Sequence, residues 1–164
     1  MVIKFLKLFT WKEVLAFTGI ILFIPVFLNN MTFIEMIFYA NYPTIIVNNF
    51  ILILTYKKVG LLNNISNFIV LRRGKWVSKL IVYLYSIFII LSGTFILYIF
   101  SYILSKPMNF NEIQYLLRIL PINIILLLIE ALIIGAQFKN KKNILFIILP
   151  ILINMGVHYI VFFY

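Results

Sequence analysis

The chain has 164 residues, 65% of them hydrophobic and only 11% charged, which is more apolar surface than a soluble domain of this size can hide. Its net charge of +10 does not point to nucleic acid, because the lysines and arginines gather where apolar runs end. With no cysteine there is no disulfide, thiol nucleophile or cysteine-ligated metal.

The composition is that of an all-α membrane protein, since no alternating strand pattern occurs and backbone groups in lipid must pair internally. Met1–Lys12 mixes apolar residues with three lysines and suits the inner membrane surface. A span needs about 20 mostly apolar residues, and five stretches are read as spans. The first is Val14–Leu28; it lacks a small-residue cleavage site at Phe27-Leu28-Asn29-Asn30 and is read as retained. The second is Phe38–Tyr56, with Pro43 near its outer end. Leu61–Arg73 follows, a short amphipathic helix after Gly60, with Leu61, Leu62, Ile65, Phe68 and Ile69 on one side and Asn63, Asn64, Ser66 and Asn67 on the other. It is expected to lie flat on the cytoplasmic interface with its polar side toward water. The third span is Trp76–Leu104. The fourth is Pro121–Phe138, with Pro121 placed in the first turn, where a missing N–H does no harm. The fifth is Ile144–Phe163, with Pro150 as a kink.

Charge gives the orientation. With the N-terminus inside, Lys4, Lys7, Lys12, Lys57, Lys58, Arg72, Arg73, Lys75, Lys79, Lys139, Lys141 and Lys142 are cytoplasmic, and only Lys106 and Arg118 are outside. Five spans then put Tyr164 outside, with no soluble tail.

Chemistry-bearing motifs are sparse. There is no P-loop, His158 is the one histidine, and the four acids Glu13, Glu35, Glu112 and Glu130 form no paired motif, so neither an enzyme nor a cofactor is expected. Glu130 interrupts the run "NIILLLIEALIIGAQ" near the bilayer midplane, where a carboxylate must be protonated, paired or wet. Asn48, Asn49 and Asn154 lie at similar depth, so Asn48, Glu130 and Asn154 form a candidate intramembrane polar cluster. It fits either a lining for a substrate path or proton site, or interhelical hydrogen bonding that fixes packing. Arg118, about 18 Å along the axis from Glu130, is read as snorkelling to the outer headgroups.

The basic turn Leu71-Arg72-Arg73-Gly74-Lys75-Trp76-Val77-Ser78-Lys79, preceded by the amphipathic Asn63–Val70, resembles the corresponding region of ABC transporter permeases of the type-2 exporter class. It is most similar to the small permease-like proteins of peptide-export and bacteriocin-immunity systems in low-GC Gram-positive bacteria. The resemblance is specific over Lys57–Leu104 and topological elsewhere. It implies that Leu61–Arg73 acts as a coupling helix docked on a separate ATP-binding subunit, with Asn63, Asn64, Asn67, Arg72, Arg73 and Lys75 as docking residues. It further implies a location in the bacterial cell membrane, contact with lipid, and a homodimer or a heteromer with another permease. Family members usually have six spans against the five read here, which suits a reduced permease, an accessory subunit or a truncated relative. The alternatives are a stand-alone immunity or stress protein that binds a membrane-active peptide, and an accessory subunit that stabilises another membrane complex.

Overall fold

The computed structural model describes residues 10–23, 31–40, 42–138 and 143–162. The expected surface segment Met1–Lys12, the stretch 24–30 containing the end of the first predicted span, Lys139, Lys141, Lys142 and the last two residues fall wholly or largely outside that set. The described residues form helices α1 (Trp11–Leu22), α2 (Asn48–Asn64), α3 (Ser66–Arg73), α4 (Lys75–Leu104), α5 (Phe110–Gly135) and α6 (Leu145–Phe162), with two wider π-helical turns, Glu35–Tyr39 and Tyr42–Val47, ahead of α2. Among them there is no strand, only an isolated bridge between Thr32 and Lys106.

Among the described residues three helices are long and apolar enough to cross a membrane: Ile45–Asn64, Lys75–Leu104 and Phe110–Gly135. Together they give the chain the character of an all-α membrane protein. Five spans were expected. α1 has 12 residues, and the apolar Leu145–Ile160 stretch of α6 is shorter than the three. Large side chains such as Phe88, Phe95, Ile103, Leu117 and Leu152 face outward, a surface suited to lipid and costly in water.

Three helix starts are built alike. The backbone N–H of Thr10 donates to Glu13 Oε2 at 2.9 Å, that of Thr32 to Glu35 Oε2 at 2.7 Å, and that of Asn109 to Glu112 Oε2 at 2.7 Å. Each carboxylate satisfies a donor that the helix start would otherwise orphan. The Asn109 box corrects the fourth predicted span. It starts α5 at Phe110, so Pro121 stands inside the helix rather than in its first turn, and the helix ends at Gly135 rather than Phe138. Neighbouring helices make an internal proline tolerable in such a setting.

The second predicted span is displaced too. The backbone bends at Ala40 and passes through π-helical turns around Pro43, so the regular helix begins later and runs to Asn64. It continues past Gly60 because tertiary contacts hold it: Leu62 is buried, and Asn63 Nδ2 donates to the Gln137 carbonyl at 2.9 Å. The break falls at Ile65, so the short helix is Ser66–Arg73 rather than Leu61–Arg73. Gly74, at φ +79°, then turns the chain directly into α4, a conformation a side chain would strain.

α4 and α5 run antiparallel and form the main seam. α2 packs on α4, α5 and α6, and α6 closes against α5. Along the seam, Ser86 Oγ donates to the Ala131 carbonyl at 2.9 Å, and farther along Asn123 Nδ2 donates to the Tyr98 hydroxyl. The core is the narrow line where these helices touch, including Val59, Val82, Ile90, Ala131 and Ile134. α2 ends, α4 begins and α5 ends at one end of the bundle, which carries Lys57, Lys58, α3, Lys75 and Lys79. At the opposite end the Lys106 N–H donates to the Met31 carbonyl at 3.2 Å, and Phe33 meets Tyr98 and Tyr102 edge-on.

Candidate functional site

Two places concentrate polar chemistry: the exposed elbow α3–Gly74–α4, and the buried polar groups beside it.

The elbow follows from a short helix linked to a long one with one glycine between them. α3 has too few residues to bury both of its sides. Ile69 and Val70 rest against the core, while Phe68 and Leu71 are left 72% and 83% exposed, and Trp76 beyond the glycine is 87% exposed. The predicted apolar stripe is therefore split. Leu62 and Ile69 turn inward, whereas Leu61, Ile65 and Phe68 face out. Of the predicted docking residues, Asn64, Asn67, Arg72, Arg73 and Lys75 are exposed on this elbow. Asn63 is not among them, because its side chain is spent on Gln137 at the joint between α2 and α5. The three cations and the outward apolar side chains make a mixed surface suited to charge and apolar contact together.

The buried groups differ from the predicted cluster. Asn154 Nδ2 donates to Asn49 Oδ1 at 2.9 Å, so α6 is tied to α2 through the neighbour of the expected Asn48. Successive residues of a helix point about 100° apart. Asn48 is buried as well, with Oδ1 unpartnered among the described residues. Glu130 is 1% exposed, and its Oε1 has no partner among them either. It stands five residues from the end of α5, in the last third of a helix that begins at Phe110, rather than at the helix midpoint. Arg118 is exposed on the same helix. His158 is buried and meets the ring of Tyr159 at 5.5 Å.

Sequence reasoning missed the best-connected charged group. Lys58, counted among the loop cations, is 1% exposed, and its ammonium donates to Glu13 Oε2, while Lys57 reaches Glu13 Oε1 at 3.0 Å. One carboxylate thus holds two lysines and pins α1 to α2. Burial alone would raise the Glu13 carboxyl, but hydrogen bonds from Lys58, the Thr10 backbone, Lys57 and the Thr10 side chain outweigh it and hold it at about 2. The signal in the sequence was the Thr10-x-x-Glu13 spacing, which puts an acid at a helix start, with Lys57-Lys58 as the nearest paired cations on the next long helix. Gln137, buried at the end of α5, was missed as well.

Between α1, α2 and α4 lies an apolar cleft of about 310 Å³, lined by Val14, Phe17, Ile51, Leu54, Phe88 and Gly93 among others, with Glu13 at its edge. Among the described residues no group of three His, Asp or Glu side chains is arranged to hold a metal ion. Compared with models of known families, with curated proteins and with solved structures, the chain matches none.

Proposed function

We propose that this chain is a multi-pass, permease-like subunit of an exporter in the bacterial cell membrane, with its N-terminus in the cytoplasm, working with a separate ATP-binding subunit and pairing with itself or with another permease. The observation that carries this reading is the elbow. A short helix sits between two helices of spanning length, at the Lys/Arg-rich end, with Asn64, Asn67, Arg72 and Lys75 turned outward. Continuity with α2 and α4 gives a push on α3 a rigid path into the bundle. Its positive charge suits an acidic docking surface. In this reading the exported substrate is a peptide or other amphipathic molecule, and the cleft beside Phe17 and Phe88 offers it an apolar surface.

Cross-linking from Asn67→Cys in native membranes is expected to capture a soluble ATP-binding protein that also co-purifies with the wild-type chain. Recovery of neither would sink the proposal. The same cleft also favours a second reading, a stand-alone immunity protein that takes the apolar side of a membrane-active peptide. Expression without any accompanying ATPase should then confer resistance, and protection that vanishes when the ATPase is deleted counts against it.

A further inference from the structure

We propose that the first turns of α4 carry a binding site for the headgroup of an anionic phospholipid, with Lys75 and Lys79 holding the phosphate and Trp76, Leu80 and Tyr83 receiving the glycerol and upper acyl region. These five residues line one groove of about 490 Å³.

Lys75 and Lys79 are four residues apart on one side of a helix, where like charges repel. Lys75 opens α4, where the helix dipole also disfavours positive charge. An anion bound there would relieve both effects, and the chain has only four Asp or Glu side chains that could supply one. Glu13 is held by Lys57 and Lys58, Glu35 and Glu112 cap helix starts elsewhere, and Glu130 is buried in α5. Among the described residues neither Lys75 nor Lys79 has an ion-pair partner, which leaves both ammonium groups open to an external anion.

The shape of the groove selects the source. From Lys75 to Tyr83 the axis advances about 12 Å; Lys75, Trp76 and Lys79 occupy its first half, and Leu80 and Tyr83 its second. Two ammonium groups beside an indole, with a leucine and a tyrosine ring beyond them, suit a phosphate at one end and hydrocarbon at the other. A soluble anion would leave the 87% exposed Trp76 and the 54% exposed Leu80 uncovered. The inference needs the membrane location; it shares Lys75 with the proposed docking surface, while Trp76, Lys79, Leu80 and Tyr83 belong to the groove alone.

Trp11 and Trp76 are the two tryptophans, so Trp11→Phe leaves Trp76 as the reporter. The W11F protein is reconstituted in phosphatidylcholine vesicles in which about a tenth of the lipid is brominated, as phosphatidylglycerol in one series and phosphatidylcholine in the other, at physiological ionic strength. Brominated phosphatidylglycerol is expected to quench Trp76 several-fold more strongly. Adding K75Q/K79Q should bring the two lipids to parity, and adding K75R/K79R should keep the preference. Circular dichroism checks that each variant is folded; should K75Q/K79Q fail that check, the single variants K75Q and K79Q are each expected to weaken the preference. Equal quenching by the two lipids in W11F overturns the proposal. So does a preference that survives loss of both lysines, which would be the general field of Arg72 and Arg73, or one that inorganic phosphate abolishes, which would mark a free-anion site.

Discussion

Lys58 shows how one side chain can belong to a different class from the one its sequence neighbourhood suggests. Lys57 and Lys58 are adjacent, yet the side chain of one is 63% exposed and that of the other 1%. A buried cation is tolerable only when paired, so Glu13 matters chiefly because Lys58 is there. Glu13→Gln keeps an acceptor for the Thr10 N–H but removes the charge, and it is expected to destabilise the protein by roughly 3 kcal/mol in thermal unfolding. Glu13→Gln with Lys58→Gln should cost clearly less than the single change, and strict additivity in that double-mutant cycle would show the pair to be uncoupled. The pH dependence has a definite sign. The carboxyl is depressed from 4.5 to about 2, so its contribution is fully present above about pH 4.5 and is lost as the pH falls toward 2. The Glu13→Gln variant should lack that part of the acid transition. Thr10-x-x-Glu13, Thr32-x-x-Glu35 and Asn109-x-x-Glu112 are cap spacings that give three of the four acids a local task, which leaves Glu130 as the one acid without one.

Among the helices, the seam between α4 and α5 depends on close approach. Gly135 is there for space: a Cβ would come within 2.5 Å of Tyr83 Cδ1 and 3.0 Å of Ser86 Oγ. The same Ser86 hydroxyl bonds the Ala131 carbonyl one turn away. Gly135→Ala therefore overpacks the seam and is expected to cost about 1–3 kcal/mol, while Ser86→Ala should cost about 1 kcal/mol. Thermal unfolding in detergent measures both, and a Gly135→Ala protein as stable as the wild type would contradict the packing described. Gly93 is less constrained, since its nearest neighbour is the flexible Ile51 side chain at 3.2 Å. The existence of α4 was readable almost to the residue, Trp76–Leu104 against Lys75–Leu104, because Gly74 and a polar flank bracket it. α5 was not, because Pro121 draws the boundary inward, past the Asn109 cap twelve residues earlier.

For the whole molecule, the decisive property is which side of the membrane the basic end faces. The chain has no cysteine, so single cysteines report it cleanly. Asn67→Cys and Lys75→Cys should react with an impermeant maleimide only in inside-out vesicles, and Lys106→Cys only in intact cells. The reverse pattern would invert the proposed orientation and remove the elbow from any cytoplasmic partner.

The amino-acid sequence by itself determined that the chain is helical and built for lipid, where its longest helix lies, and that its cations collect at one end, because hydropathy, chain length and charge position are local quantities. It did not determine the rotation of each helix about its own axis. α2 and α5 are apolar on most sides, so the pattern carries little azimuth, and only packing decided that Asn49 rather than Asn48 meets Asn154, that Lys58 turns inward beside Glu13, and that Asn63 closes on Gln137. The same packing decided that Phe68 and Leu71 of α3 and Trp76 in the first turn of α4 stay outside next to Lys75 and Lys79, because α3 meets the core only through its Ile69–Val70 side.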